Sequence, residues 1–103
     1  MARSVRLSDE ASESLGEIER WYAQPGADAV EVAARRVRTI LAAIATLSDV
    51  PFKGRRADID RTRELSCQGH RIIYVIADGR NGLSNVGNIT VLEIFGPGRS
   101  PTK

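Results

Sequence analysis

The sequence predicts an α+β domain in which a helical hairpin packs on one face of a mostly antiparallel four-stranded sheet. The first half contains two long stretches with apolar residues at helical spacing. The second half contains three shorter segments that alternate apolar and polar residues, or run apolar throughout, as strands do. A short alternating segment precedes the first helix, so the predicted order is β-α-α-β-β-β. The 103 residues are expected to form a single domain, residues 1–103, with one hydrophobic core.

The first half of the chain is predicted to form one strand and two helices. Val5 and Leu7 alternate with polar neighbours, which predicts a strand near residues 3–7. Ser8 is the predicted N-cap of the first helix. The apolar residues on one face of this helix are Ala11, Leu15, Ile18 and Tyr22. A second helix is predicted over residues 28–48, and its short connection to the first predicts an antiparallel pair.

The second half is predicted to form three consecutive strands. Residues 51–60 are expected to be an irregular connector, and strands are predicted near 61–67, 70–77 and 88–95. A Gln-Gly pair supplies the turn between the first two of these strands. The strand at 70–77 is apolar on both sides, which indicates burial on both faces of the sheet.

Composition excludes several classes of protein. No apolar run approaches the roughly 18 residues of a membrane span, and the N-terminus lacks the apolar stretch of a secretory signal. The only cysteine, Cys67, has no internal disulfide partner, which favours a cytoplasmic protein. One histidine with one cysteine does not make a metal site, and no phosphate-binding loop is present, so no metal or cofactor is predicted.

Positive charge is concentrated in one segment. The net charge is only +2, but residues 53–71 hold six Lys and Arg against three Asp and Glu. This segment leads into an apolar strand pair, so the charge is expected to be presented on a rigid surface. Such a surface fits nucleic acid or an acidic peptide, and a solvated mixed surface is the simpler alternative.

The basic segment and the strand after it resemble the RelE/ParE superfamily of bacterial toxins, over residues 4–99. Gly54-Arg55 followed by Thr62-Arg63-Glu64-Leu65 is similar to the Gly-Arg…Arg-Glu-Leu pattern of ParE-like members. The apolar strand then begins Gly-His-Arg-Ile-Ile-Tyr. The resemblance implies the toxin of a type II toxin–antitoxin module, held by a cognate antitoxin in a hetero-oligomeric complex.

The two branches of the superfamily imply different chemistry. RelE-like members cleave messenger RNA on the ribosome, with two lysines on the strand before the turn. Thr62 and Glu64 occupy those positions here, and the tail lacks the tyrosine that serves the nuclease. The candidate nuclease set is therefore reduced to Arg71, Arg99 and His70. ParE-like members inhibit DNA gyrase and have no recognised catalytic set.

We interpret the chain as a ParE-like toxin that acts on gyrase without catalysing a reaction. The alternatives are a RelE-like ribosome-dependent endonuclease and a non-catalytic binding module with a toxin-like fold. In the ParE-like reading, Phe95 and Arg99 contact the target. The antitoxin-binding residues are predicted to be Trp21, Tyr22, Arg63 and Arg71.

Structural roles compete with functional ones at several of these positions. His70 is expected to be a surface residue at the edge of the hairpin, and Glu93 to pair with Arg63 or Arg71 across the sheet. Gly54 could serve only as a turn residue, and Arg63 as a salt-bridge partner on the sheet face.

Overall fold

The computed structural model describes residues 4–23, 29–57, 61–77 and 87–96. Two helices pack on one face of a five-stranded sheet with the strand order β1-β5-β4-β3-β2. Only β1 and β5 run parallel, so the sheet is mostly antiparallel, as predicted. The elements are β1 Val5–Leu7, α1 Asp9–Tyr22, α2 Ala29–Ala45, a 3-10 turn Thr46–Ser48, β2 Arg55–Arg56, β3 Thr62–Cys67, β4 His70–Ile76 and β5 Ile89–Phe95.

The fifth strand corrects the predicted count of four. Residues 51–60 were expected to be irregular, but Arg55 and Arg56 pair antiparallel with Glu64 and Arg63 of β3. Ala57 N–H then donates to Thr62 O at 3.0 Å and closes the connection. A two-residue strand is too short to show the alternation by which strands are recognised in a sequence.

Helix α1 begins at the predicted cap, and α2 ends earlier than predicted. Ser8 Oγ accepts the Ala11 N–H at 3.0 Å, which caps α1, and Asp9 and Glu10 follow in the first turn. The Ser8 hydroxyl donates to Leu92 O at 2.9 Å and so ties the start of α1 to β5. The last predicted turn of α2 tightens into a 3-10 turn, where Thr46 Oγ1 donates back to Ala43 O at 2.6 Å.

The core lies between the helices and the sheet face that they cover. Its buried residues are Ala11, Ile18, Ile40, Ile44, Leu47, Leu65, Ile72, Tyr74, Ile89, Val91 and Ile94. Along β4, Ile72 and Tyr74 belong to this core and Ile73 alternates to the other face, yet all three are buried. Burial of β4 on both faces is therefore confirmed. None of the described helices is long and apolar enough to span a bilayer.

Candidate functional site

The carboxylate of Glu64 is held between two arginines on the sheet face away from the helices. Arg55 Nη2 lies 3.2 Å from Glu64 Oε2, and Arg71 Nη2 donates to Oε1. Glu64 is only 4% exposed. The hydrogen bond from Arg71, with that from Arg55, lowers the pKa of Glu64 against the opposing effect of burial. Glu64 therefore stays ionised near neutral pH and is unsuited to proton transfer.

This ion triad changes the interpretation of Arg71. Sequence reasoning offered Arg71 to a phosphate or to an antitoxin, but its guanidinium already binds the carboxylate at one of the nuclease lysine positions. Glu64 stands where RelE-like nucleases have a lysine, and its carboxylate also neutralises the charge of Arg71. The arrangement leaves less positive charge for a phosphate than the sequence alone indicates.

Gly54 is required by close packing, beyond its expected role as a turn residue. A Cβ at this position would lie 2.6 Å from Glu64 O and 2.7 Å from Tyr74 Oη. Gly54 N–H donates to Tyr74 Oη at 2.9 Å, and the buried Tyr74 hydroxyl donates to Pro51 O at 2.7 Å. The glycine thus allows the chain before β2 to lie against β3 and β4.

Arg63 completes this packing, and it forms no salt bridge with another of the residues that the structure describes. Arg63 Nη1 donates to Gly54 O at 2.8 Å, and Arg63 Cζ lies 4.7 Å from the centroid of the Phe52 ring. The Gly-Arg…Arg-Glu-Leu pattern therefore has a structural meaning. Its glycine and its second arginine fix the chain beside β3, and its first arginine pairs with the glutamate.

His70 is fully buried, so the expectation of a surface residue at the hairpin edge is wrong. The end of α1 covers it, a long-range contact that the local sequence does not reveal. His70 Nδ1 donates to Phe95 O at 3.1 Å, because a carbonyl can only accept. In the neutral ring Nε2 then accepts from the Tyr22 hydroxyl, at 3.0 Å. Burial lowers the pKa of His70, Arg36 lowers it further, and the bond to Phe95 opposes both.

Arg36 and Gln68 join this group, and sequence reasoning missed both. Arg36 Nη1 donates to Gln68 Oε1 at 2.6 Å, and Arg36 Cζ lies 5.4 Å from the Tyr22 ring centroid. We call Tyr22, Arg36, Gln68, His70 and Phe95 the turn-end cluster, because they meet at the β3–β4 turn. The sequence showed only that α2 is rich in arginine.

Trp21 adds an exposed aromatic surface beside the turn-end cluster. Its ring packs edge-on against Tyr22, with centroids 4.9 Å apart, and the residue is 58% exposed. A large aromatic side chain held in place while exposed to solvent is typical of a protein-binding surface. Trp21, Tyr22, His70 and Phe95 were predicted site residues, and the structure brings these four together.

The remaining predicted site residues do not form one surface: Arg71 stands opposite Phe95 in the β4–β5 pairing, and Arg63 lies farther along the hairpin. Arg63 shares the helix-covered side of the sheet with Leu65, whereas Arg71 alternates with Ile72 and points to the opposite side. Arg63 is also opposite Tyr74, toward the far end of the hairpin from His70. Arg99 lies outside the described residues.

Glu93 has a different partner from the one expected. Ser14 of α1 donates its hydroxyl hydrogen to Glu93 Oε1, where an arginine had been predicted. The same oxygen accepts the Ile94 N–H at 3.2 Å. Because α1 packs against β5, the odd polar residue of this apolar strand links the helix to the sheet.

The described residues offer little for acid–base or metal chemistry. The only histidine uses both ring nitrogens inside the protein. Burial raises the pKa of the Cys67 thiol and so disfavours a reactive thiolate. In the parts of the chain that the structure describes, no group of three His, Cys, Asp or Glu could hold a metal ion.

Comparison with known proteins gives the family. A family model described as "ParE toxin of type II toxin-antitoxin system, parDE" matches residues 5–90. The chain belongs to the ParE toxin family. No sequence among the curated proteins matches it.

Solved structures agree with the fold of a ParE-family toxin. One similar chain comes from a chromosomal ParDE toxin–antitoxin system of P. aeruginosa, with a TM-score of 0.76 and 18% identity, covering 93% of this chain and 97% of that one. Another comes from the toxin–antitoxin complex RelBE2 of Mycobacterium tuberculosis. It has a TM-score of 0.62 and 17% identity, and the match covers 92% of this chain and 98% of that one. At these identities the likeness concerns the fold. The family assignment depends on the sequence match.

Proposed function

We propose that this ParE-family toxin inhibits DNA gyrase without catalysing a reaction and is neutralised by a cognate antitoxin. Gyrase follows from the family, and the antitoxin from the toxin–antitoxin systems that the similar structures represent. Gyrase as the target implies action in the cytoplasm. The observation that carries the proposal is an exposed Trp21 packed on Tyr22, which a hydrogen-bonded chain through the buried His70 links to the Phe95 carbonyl.

We assign the antitoxin to the surface formed by Trp21 and Tyr22. Burial of the exposed Trp21 ring would supply apolar contact area, and Arg36 beside it would attract a carboxylate of the antitoxin. Arg63 and Arg71 remain proposed contacts. Because they lie on opposite sides of the sheet, an antitoxin segment that contacts both has to pass around the sheet.

We assign the target contact to the end of β5, where Phe95 is half-buried, together with Arg99. His70 holds the Phe95 carbonyl at 3.1 Å and so fixes the direction in which the strand ends. A rigid strand end presents its side chain to a partner at low cost in conformational entropy. The arrangement needs no proton-transfer group.

A gyrase cleavage assay with the purified chain tests this function. With gyrase and ATP, the wild-type chain should cause linear DNA to accumulate from supercoiled plasmid. Phe95→Ala should reduce that accumulation by roughly tenfold or more, as expected when an aromatic anchor of an interface is truncated. Leu92→Ala is the matched control, since Leu92 is an exposed apolar residue of the same strand.

Two results would contradict the proposal. Equal losses in both variants, with unchanged melting temperatures, would remove Phe95 from the target surface. Transcript cleavage at ribosome-bound codons, with gyrase unaffected, would favour the RelE-like endonuclease.

Mixing the chain with its antitoxin should abolish the linear DNA, and Trp21→Ser should weaken that protection.

A further inference from the structure

Two arginines stand directly opposite each other at the edge of the sheet. Arg56 of β2 pairs with Arg63 of β3 in the antiparallel register, so both side chains point to the same side. Like charges in this position destabilise a sheet. The adjacent pair, Arg55 and Glu64, has opposite charges and forms an ion pair. Arg63 has a role in packing through Gly54 and Phe52, so Arg56 is the charge in this pair that the described packing does not explain.

Neither arginine has a carboxylate partner among the residues that the structure describes. Arg56 is exposed, and the neighbouring Lys53 is also exposed, with its Nζ 3.5 Å from Thr46 Oγ1. The acidic Glu64 lies on the other side of the sheet and is already shared between Arg55 and Arg71. This side of the edge therefore carries positive charge that the described residues leave unbalanced.

An aromatic ring lies within the same patch. Phe52 is 65% exposed although it is a large apolar residue, and the Arg63 guanidinium lies over its ring at 4.7 Å. Arg63 cannot swing freely, because its Nη1 donates to Gly54 O at 2.8 Å. A planar ring and a planar guanidinium are thus fixed together beside two exposed cations. We call Phe52, Lys53, Arg56 and Arg63 the edge patch.

We propose that the edge patch binds single-stranded nucleic acid. Arg56 and Lys53 contact phosphates, and a base stacks on the Phe52–Arg63 pair. Proteins that bind single strands without sequence preference combine cations along the backbone with aromatic side chains for stacking. An acidic peptide would satisfy the charges, but a nucleobase also matches the flat stack. This inference goes beyond gyrase inhibition. The edge patch is separate from the turn-end cluster and shares only Arg63 with the proposed antitoxin contacts.

Filter binding with a short radiolabelled oligothymidine tests the proposal on the full chain over a series of salt concentrations. Arg56→Gln should weaken binding and reduce the salt slope by about 0.7, the value for one phosphate contact on a single strand. Phe52→Leu should weaken binding by roughly tenfold, as stacking contributions imply, and leave the salt slope unchanged. The wild type should bind the matching duplex more weakly than the single strand.

Control variants separate the patch from general positive charge. Arg38→Gln removes an exposed cation from α2 and should leave binding unchanged. Arg63→Lys keeps the charge but removes the planar stack, so it should resemble Phe52→Leu. Melting temperatures identify loss of fold in Arg63→Lys. Arg56→Gln changes an exposed side chain that takes no part in the packing described above.

Four results would overturn the proposal. The first is that the wild type does not bind oligothymidine, and the second is that Arg38→Gln and Arg56→Gln lose equal affinity for it. The third is that duplex binds more tightly than the single strand while Phe52→Leu leaves the affinity unchanged. The fourth is that poly-glutamate competes more strongly than unlabelled oligothymidine. The last result would assign the patch to an acidic peptide. Gyrase cleavage by the Arg56→Gln variant is expected to persist, so failure of this inference would leave the proposed function intact.

Discussion

At the scale of single residues, Gly54 shows how one missing side chain can determine local packing. We expect Gly54→Ala to lower the free energy of unfolding by about 2–3 kcal/mol, because a Cβ 2.6 Å from Glu64 O forces backbone to shift. Urea denaturation followed by circular dichroism measures the change. Gly16→Ala is the matched control. Its Cβ meets only the flexible end of Arg20 at 3.5 Å, and alanine should stabilise α1 by about 0.5–1 kcal/mol.

Either of two results would contradict this interpretation of the glycines. If both substitutions stabilise the protein, the chain before β2 does not pack against β3 as closely as described. Loss of stability in Gly16→Ala alone would contradict the interpretation of both positions.

His70 makes stability depend on pH. Above about 6.5, the ordinary pKa of histidine, the ring is neutral in both the folded and the unfolded chain. Because burial lowers the pKa of His70 in the folded protein, only the unfolded chain gains a proton as the pH falls below that value. The stability associated with neutral His70 is therefore fully present above about pH 6.5. As the pH falls from there toward the pKa of His70 in the folded protein, the free energy of unfolding decreases by at most about 1.4 kcal/mol per pH unit.

Urea denaturation between about pH 7.5 and 5 checks this sign. His70→Gln removes the titrating ring, so its stability should vary less with pH over this range, whatever its absolute value. Tyr22→Phe keeps the ring packing but removes the hydroxyl donor to Nε2, and it should reduce stability at neutral pH by about 1 kcal/mol. An equally steep pH dependence in His70→Gln would exclude His70 as its source.

At the scale of secondary structure elements, the Glu64 triad joins β2, β3 and β4. We expect Glu64→Gln to cost about 1.5–3 kcal/mol of stability, because hydrogen bonds to the charged carboxylate weaken. Glu31→Gln is the control: it removes a solvent-exposed pair with Arg35 and should cost less than about 0.5 kcal/mol. Urea denaturation at neutral pH compares the two, and equal costs would contradict a structural role for the triad.

The triad has its own pH window. Arg71 and Arg55 lower the pKa of Glu64 below the ordinary value of about 4.3. Its contribution to stability is therefore present above that value and is lost as the pH falls through the folded pKa. This window lies below the window of His70, so one titration distinguishes the two residues.

The elements that local sequence patterns determine were predicted well. Apolar spacing and the Ser8 cap located α1, and the unbroken apolar run of β4 indicated burial on both faces. The pairing of β2 was missed, because two residues carry no periodicity and the pairing depends on how Gly54 packs. Within the candidate site, the assignment of Trp21 and Tyr22 to the antitoxin stays a prediction. The burial of His70 was not predicted, because it depends on α1 crossing the end of the hairpin.

At the scale of the whole molecule, the two candidate surfaces lie at different ends of the β3–β4 hairpin. The turn-end cluster gathers α1, α2 and the end of β5 around His70, and we assign it to protein partners. The edge patch gathers charge and one aromatic ring around β2, and we assign it to nucleic acid. The Glu64 triad and the Gly54 packing lie close to the edge patch and stiffen the sheet there.

The position of Trp21 has a practical consequence. It is the chain's single tryptophan and is 58% exposed, so the intrinsic fluorescence of the free protein comes from one hydrated indole. A partner that lacks tryptophan and covers this indole will shift the emission to shorter wavelength. The protein therefore carries a built-in optical reporter for occupation of that surface, and antitoxin association can be followed in real time without attaching a dye.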